Sequence, residues 1–247
     1  MNVRFADCRY DLADPPAARR RYLDAHIPGA AFVDLDTDLS DLSIPPEVAG
    51  RHPLPGAERF AVAMRRAGIG PETLVVAYDE GMTGGAARLW WLLRHFGHDQ
   101  VAVLDGGLGA WIGPLARGEE AIEPTTFTPH EREDDTVSTN ELVARLGEPG
   151  LVLLDGRPAD RFRGDVLGPD PVAGHIPGAL NTPSTTGRAV ELPPEALDAE
   201  NVVAYCGSGV AACSVLLSLH RAGRTDARLY PGSWSEWSRK GLPAQKG

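Results

Sequence analysis

No stretch of this chain approaches the roughly 18 continuous apolar residues that a membrane-spanning helix requires. The opening MNVRFADCRYDL also lacks the basic-then-apolar order of a secretory signal. A cytoplasmic protein with no membrane partner is the expectation. Cysteine is scarce: Cys8, Cys206 and Cys213 are odd in number and far apart, a poor disulfide framework and too few ligands for a structural zinc site. Packing or reactivity is what remains for them. Positive charge is short as well, with 24 Lys and Arg against 34 Asp and Glu and a formal net charge of −10. A broad phosphate-binding surface would have to work against that field, so nucleic acid is not an expected partner and any anion must be caught locally. Apolar side chains are present in ordinary measure, 43% hydrophobic against 23% charged, which argues against disorder over the whole chain. At 247 residues, one large domain or two compact ones fit.

The chain repeats itself. Asp7-Cys8-Arg9 is followed by His26-Ile27-Pro28-Gly29-Ala30, and Asp155-Gly156-Arg157 by His175-Ile176-Pro177-Gly178-Ala179 at nearly the same separation. Leu74–Tyr78 matches Asn201–Tyr205, each leading into a glycine-rich turn and an apolar segment of helical period. Each half closes with a strand and an aromatic turn, through Asp105-Gly106-Gly107 to Trp111 and through Pro231-Gly232-Ser233 to Trp237. Four landmarks recurring in order define two homologous halves. Between them, residues 123–135 are polar, charged and interrupted by Pro124 and Pro129, the composition of an exposed linker. Domains are therefore expected over 1–122 and 136–247. Ser138-Thr139-Asn140-Glu141 forms a capping box ahead of Leu142, Val143 and Leu146, so a helix is expected to open the second.

Short apolar runs such as Leu151–Leu154 and Val202–Tyr205 have the character of strands buried on both faces. Segments of helical period lie between them: Phe60 to Ala67, Ala86 to Phe96 and Ala212 to Ala222, the last with Ala212, Val215, Leu216 and Leu219 on one face. Strand–helix alternation implies crossover units, and hence two α/β domains, each a mostly parallel sheet flanked by helices. In such sheets ligands bind beyond the carboxyl ends of the strands. Cys206 follows a strand directly, and Cys206-Gly207-Ser208-Gly209-Val210-Ala211 separates it from the next helix. Two glycines let backbone amides turn inward as an anion nest around the sulfur, and those amides together with the helix amino terminus favour a nucleophilic thiolate. A buried small hydrophobe is the plain alternative for Cys206, and packing is the expectation for Cys8 and Cys213.

CGSGV after a VVAY strand, HIPGA in both halves, DGRPADRFRG and the closing YPGSWSEW resemble the tandem rhodanese-type sulfurtransferases, specifically the 3-mercaptopyruvate sulfurtransferase branch. The resemblance spans almost the whole chain. It implies an inactive amino-terminal domain and a carboxy-terminal one whose cysteine carries a sulfane sulfur as a persulfide, passed from a small-molecule donor to a thiol or cyanide acceptor, a small thiol or a thioredoxin-like protein among them, without a cofactor. Position by position, it places the nucleophile on Cys206 and the loop serine on Ser208. It further assigns Asp36 and His52 as the family's Asp and His from the inactive domain, and Arg161 as a carboxylate-binding arginine. Gly207, Gly209, Val210 and Ala211 complete the substrate loop. Asp79 stands where the first half would carry the cysteine. Without the resemblance, Asp36 is equally a turn residue, His52 a surface histidine and Arg161 a solvated charge.

The chain also departs from the pattern. Asp165 to Gly174 contains no second arginine, Ala211 stands where threonine is common, and Gly207 and Ser208 are neutral where thiosulfate-specific relatives carry basic side chains. Loop electrostatics favour a monoanionic thiol donor such as 3-mercaptopyruvate over thiosulfate. The related phosphatase loop needs an arginine six residues after the cysteine, and that residue is Ala212. A sulfur-relay or binding module is the non-enzymatic alternative. Gly81-Met82-Thr83-Gly84-Gly85 lacks the Lys-Ser/Thr of a phosphate loop and is expected to be a relic of the cysteine turn, so no nucleotide cofactor is implied.

Overall fold

A computed structural model of the chain describes residues 2–81, 84–184 and 190–247. It comprises two compact units. Among the described residues, 2–41 and 54–132 form the first, and 42–53, 133–184 and 190–247 the second. Residues 42–53 thus belong to the second unit although they lie in the amino-terminal half, and 123–132 belong to the first.

The first unit contains β1 (Asn2–Asp7), α1 (Pro15–Asp24) and β2 (Ala31–Phe32). The short helix α2 (Pro46–Ala49) that follows in the chain belongs to the second unit. The first unit resumes with α3 (Ala57–Arg66), β3 (Thr73–Tyr78), α4 (Gly85–His95), β4 (Val101–Val103) and a 3-10 turn over Gly107–Ala110. The second contains α5 (Thr139–Arg145), β5 (Leu151–Asp155), α6 (Ala159–Arg163), β6 (Leu180–Asn181), α7 (Pro194–Asp198), β7 (Asn201–Tyr205), α8 (Ala212–Arg221), β8 (Arg228–Leu229) and α9 (Ser233–Arg239). Each unit holds a four-stranded parallel sheet, ordered β2-β1-β3-β4 in one and β6-β5-β7-β8 in the other. The same order in both confirms that the sequence repeat is a structural duplication. Val202, Val203, Ala204 and Tyr205 are all buried, as a central parallel strand covered on both faces requires.

The expected helices form, but differently: α3 buries one face through Phe60, Ala61 and Met64, whereas α8 is buried all round from Ala212 to Leu219, as a helix packed on every side requires. Ser138 caps α5, its hydroxyl accepting the Glu141 N–H at 3.2 Å. One element differs. After β8 the second half forms a seven-residue helix, α9, instead of an aromatic turn, because Trp234 and Trp237 point into the core with Tyr205 and Tyr230. Burial of two indoles outweighs the poor helix propensity of its three serines.

The repeated motifs are explained by repeated contacts. Asp7 and Arg9 form a bidentate pair with N–O distances of 2.6 to 3.0 Å, and Arg9 Nη2 also donates to the Ala25 carbonyl at 2.7 Å. Asp155 and Arg157 do the same at 2.6 to 3.1 Å, with Arg157 Nη2 donating to Gly174 O at 2.7 Å. The two HIPGA histidines stack on an aromatic ring, His26 on Tyr22 and His175 on Phe162, and each Nδ1 meets that same residue's carbonyl. The following isoleucine N–H donates to a strand-end tyrosine hydroxyl, Ile27 to Tyr78 and Ile176 to Tyr205. These motifs hold loops against strand ends and carry no chemistry of their own. Replacing Arg9 by Met leaves Asp7, which is 0% exposed, buried without its partner. Urea denaturation should show a loss of about 3–5 kcal/mol, whereas a loss under about 1 kcal/mol would mean that the pair behaves as a solvated one.

Candidate functional site

Cys206 follows β7 directly, and its environment is built by the start of α9. Trp234 and Ser235 donate their backbone N–H groups to the carbonyls of Cys206 and Gly207, both at 3.0 Å. The Cys206 N–H donates to Ser233 Oγ at 3.2 Å, and that hydroxyl donates to Tyr230 O at 3.0 Å. Ser233 adopts φ 54°, the sole positive φ outside glycine among the described residues, which is the strain such a junction stores. Both carbonyls turn toward α9, and from the loop the Gly209 N–H donates to Cys206 Sγ at 3.2 Å. Gly209 has φ +82°, and a Cβ there would meet Pro231 O at 2.6 Å, so only glycine fits. Val210 and Ala211 lead into α8, with Val210 O accepting the Cys213 N–H and Ala211 O the Ser214 N–H.

Ser208 is nearly buried, and its Oγ lies 2.8 Å from His52 Nδ1, itself buried. His52 reaches it because residues 42–53 belong to this unit; the Arg51 N–H donates to Ser235 Oγ at 2.9 Å, fixing the segment on α9. The structure thus brings Cys206, Ser208 and His52 together. Asp36 lies in the first unit, in a turn where its N–H donates to Asp34 Oδ1 at 2.9 Å.

Arg161, on α6, directs Nη2 toward Asp170 Oδ2 at 3.5 Å. Asp170 is 0% exposed at its side chain and also receives Arg51 Nη1 and Arg239 Nη1, the latter at 2.9 Å. A Cβ on Gly207 would come within 3.0 Å of Arg51 Nη2, so this guanidinium lies directly over the residue after the cysteine. Burial lowers the Arg51 pKa, opposed by negative charge on Asp170 and on Cys206. Sequence reasoning missed Arg51, Asp170 and Ser233. Only the Pro-Gly-Ser ahead of the WSEW run hinted at the last.

The other cysteines are packed. Cys213 is buried in α8 with its thiol donating to Gly209 O at 3.4 Å. Burial pushes the Cys8 thiol well up, and Asp7, Asp79 and Asp38 push it further. In the first unit the place of the sulfur is taken by the Asp79 carboxylate, which accepts N–H bonds from Gly81 at 2.9 Å and from Gly84 and Ala86 at 3.2 Å each. An internal anion fills that cradle. Met82 and Thr83 of the expected relic turn lie outside the described residues. Among the described residues no group of His, Cys, Asp and Glu is placed to hold a metal ion, and no helix is long and apolar enough to cross a membrane.

The rhodanese-like domain family matches the chain twice, over residues 2–113 and 138–240. A "Probable 3-mercaptopyruvate sulfurtransferase" of Pseudomonas aeruginosa is 44% identical over 249 residues, covering 94% of this chain and 87% of that protein. The 3-mercaptopyruvate sulfurtransferase of Homo sapiens is 37% identical over 248 residues, covering 92% and 81%. The crystal structure of SseA from Escherichia coli superposes with a TM-score of 0.79 at 33% identity, over 94% of this chain and 92% of that one. The chain belongs to the rhodanese-like family, and within it to the two-domain branch of 3-mercaptopyruvate and thiosulfate sulfurtransferases.

Because its pKa is raised, Cys8 should alkylate with iodoacetamide at least about 100-fold more slowly in the folded protein than after denaturation. Mass spectrometry of its peptide checks this, and comparable rates in the two states would contradict the burial and charge described for it.

Proposed function

We propose that the chain transfers a sulfane sulfur from 3-mercaptopyruvate, through a persulfide on Cys206, to a thiol or cyanide acceptor. Sulfur transfer is the activity named for its relatives, so an enzyme of this type is the family-level reading. The observation that carries the assignment to Cys206 is its sulfur at the end of β7, with the Gly209 amide donating to it at 3.2 Å. An N–H aimed at sulfur supports negative charge there, and the thiolate is the nucleophile.

The first step is attack of the Cys206 thiolate on the donor's sulfur. The new S–S bond forms as the donor's C–S bond breaks, and the bonding pair leaves on carbon as the enolate of pyruvate. A proton must reach that carbon. The Ser208–His52 pair, 2.8 Å apart, is suited to deliver it, with Ser208 as the immediate donor and His52 resupplying it. Asp36 is assigned to the same relay by resemblance alone, and Asp36→Asn tests it. In the second step an acceptor thiolate takes the outer sulfur and restores Cys206. A small thiol or a thioredoxin-like protein meets that chemical requirement. Arg161 is assigned to the donor's carboxylate, which a guanidinium can hold through paired N–H bonds.

Thiosulfate is the rival donor, supported by SseB of Mycobacterium tuberculosis, provisionally named a thiosulfate sulfurtransferase and 41% identical over 255 residues. The relatives named for 3-mercaptopyruvate at 37% and 44% identity favour the keto acid, and Gly207 and Ser208 after the cysteine add no charge of their own to draw a dianion. Measured side by side, kcat/KM for 3-mercaptopyruvate should exceed that for thiosulfate, and the reverse ranking would transfer the assignment to thiosulfate. Cys206→Ser should abolish transfer and the persulfide mass on its peptide, while Cys213→Ser keeps most of the activity. Equal loss from both would overturn Cys206 as the sulfur carrier. Arg161→Ala should raise KM for the keto acid more than it lowers kcat, and an unchanged KM would remove Arg161 from the donor site.

A further inference from the structure

The segment Asp165 to Gly174 lacks a second arginine and carries instead a buried carboxylate, Asp170, gripped by three guanidiniums. Asp170 does not balance three cations, and even with the Cys206 thiolate beside Arg51 the cluster keeps positive charge in excess, while Arg51, Arg161 and Arg239 are each only about a fifth exposed. Partly desolvated charge of one sign is costly unless an anion joins it. The donors needed for one are at hand. Arg51 uses Nη1 on Asp170 Oδ1, leaving Nη2 over Gly207, and Arg161 uses Nη2 on Oδ2, leaving Nη1, while its Nε is buried against Gly168. Arg239 Nη1 donates to both Asp170 and the Ser235 carbonyl, which ties it to α9.

The geometry points to Arg51 as the second guanidinium of the donor site: with Arg161 it receives the carboxylate of an α-keto acid donor, and Asp170 holds both side chains in place as an internal carboxylate bridge. This rests on the donor reading proposed above. It places a specificity-determining residue outside the segment that lacks the arginine, directly before His52, on a stretch of chain that the Arg51 N–H anchors to α9 through Ser235. Gly207 takes part by omission, since any side chain there would press on Arg51 Nη2. A guanidinium fork can hold a carboxylate through two parallel N–H bonds, so Arg51 and Arg161 together supply the donors that an α-keto acid's carboxylate needs.

The experiment compares two donors that release sulfur in the same way, 3-mercaptopyruvate and mercaptoacetone, which lacks the carboxylate. Arg51→Gln should lower the ratio of kcat/KM for 3-mercaptopyruvate to that for mercaptoacetone by about 10- to 100-fold, mostly through KM. Arg51→Lys, which keeps the charge and the contact to Asp170, should lower it by less than Arg51→Gln. In a Cys206→Ser background, calorimetry should show pyruvate binding weakened by a similar factor on adding Arg51→Gln. An unchanged donor ratio in Arg51→Gln, or pyruvate binding indifferent to it, overturns the inference while leaving sulfur transfer intact. A wild-type enzyme that ignores 3-mercaptopyruvate instead overturns the donor reading itself.

Discussion

The buried ion pair between Asp155 at the end of β5 and Arg157 two residues later organises everything that surrounds the sulfur. Its guanidinium closes a ring on the carboxylate, donates to Gly174 O on the HIPGA loop, and lies over the indole of Trp234 with Cζ 4.7 Å from the ring centroid. Three segments far apart in sequence meet on one side chain. Trp234 in turn sends its backbone N–H to the Cys206 carbonyl. A buried pair adds little net stability after its desolvation cost, and what it supplies here is registry. The strand end, the loop and α9 cannot slide independently when each is tied to the same planar cation.

Duplication separates scaffold from chemistry. The first unit reproduces the pair with Asp7 and Arg9 at distances within 0.1 Å of those in the second, and reproduces the tyrosine hydroxyl that accepts the isoleucine amide. Since both units keep these contacts, the contacts belong to the fold. The difference lies at the end of the third strand-forming segment of each half, where Asp79 stands in one and Cys206 in the other. Three amide donors on Asp79 show what that turn does by design: it stabilises negative charge. A carboxylate there cannot pass an atom on. A sulfur can hold the charge, attack and be restored.

Much of this was legible in the sequence because it is local or periodic. The parallel strands appear as continuous apolar runs, the helices as 3.6-residue stripes, the start of α5 as a serine cap, and the duplication as paired motifs. Cys206 stood out because strand, glycines and helix follow one another within a dozen residues. Arg51 and Asp170 are 119 residues apart, and no local pattern announces a contact that depends on how residues 42–53 leave the first unit to lie on α9. The conformation of Ser233 was equally hidden, since a positive φ outside glycine is set by packing and not by propensity. Two-residue strands such as β2 and β6 are too short to leave a periodic signal.

The distribution of charge completes the account of which donor fits. An overall charge of −10 opposes the approach of any anion, and the opposition doubles for a dianion at the same distance. That field is screened within about 8 Å at physiological salt, whereas partly buried groups are screened far less. Local groups therefore decide affinity once a donor has arrived. Among them, Gly207 and Ser208 contribute no charge, and the excess sits on guanidiniums already oriented by Asp170. A donor with a single delocalised charge meets the weaker barrier outside and finds planar partners inside. Thiosulfate, a dianion, would meet the larger barrier on approach. The outer field therefore favours the monoanion and the local cations favour any anion that reaches them, so the choice of donor is set by the contacts to its carboxylate and not by a side chain devoted to rejecting its rival.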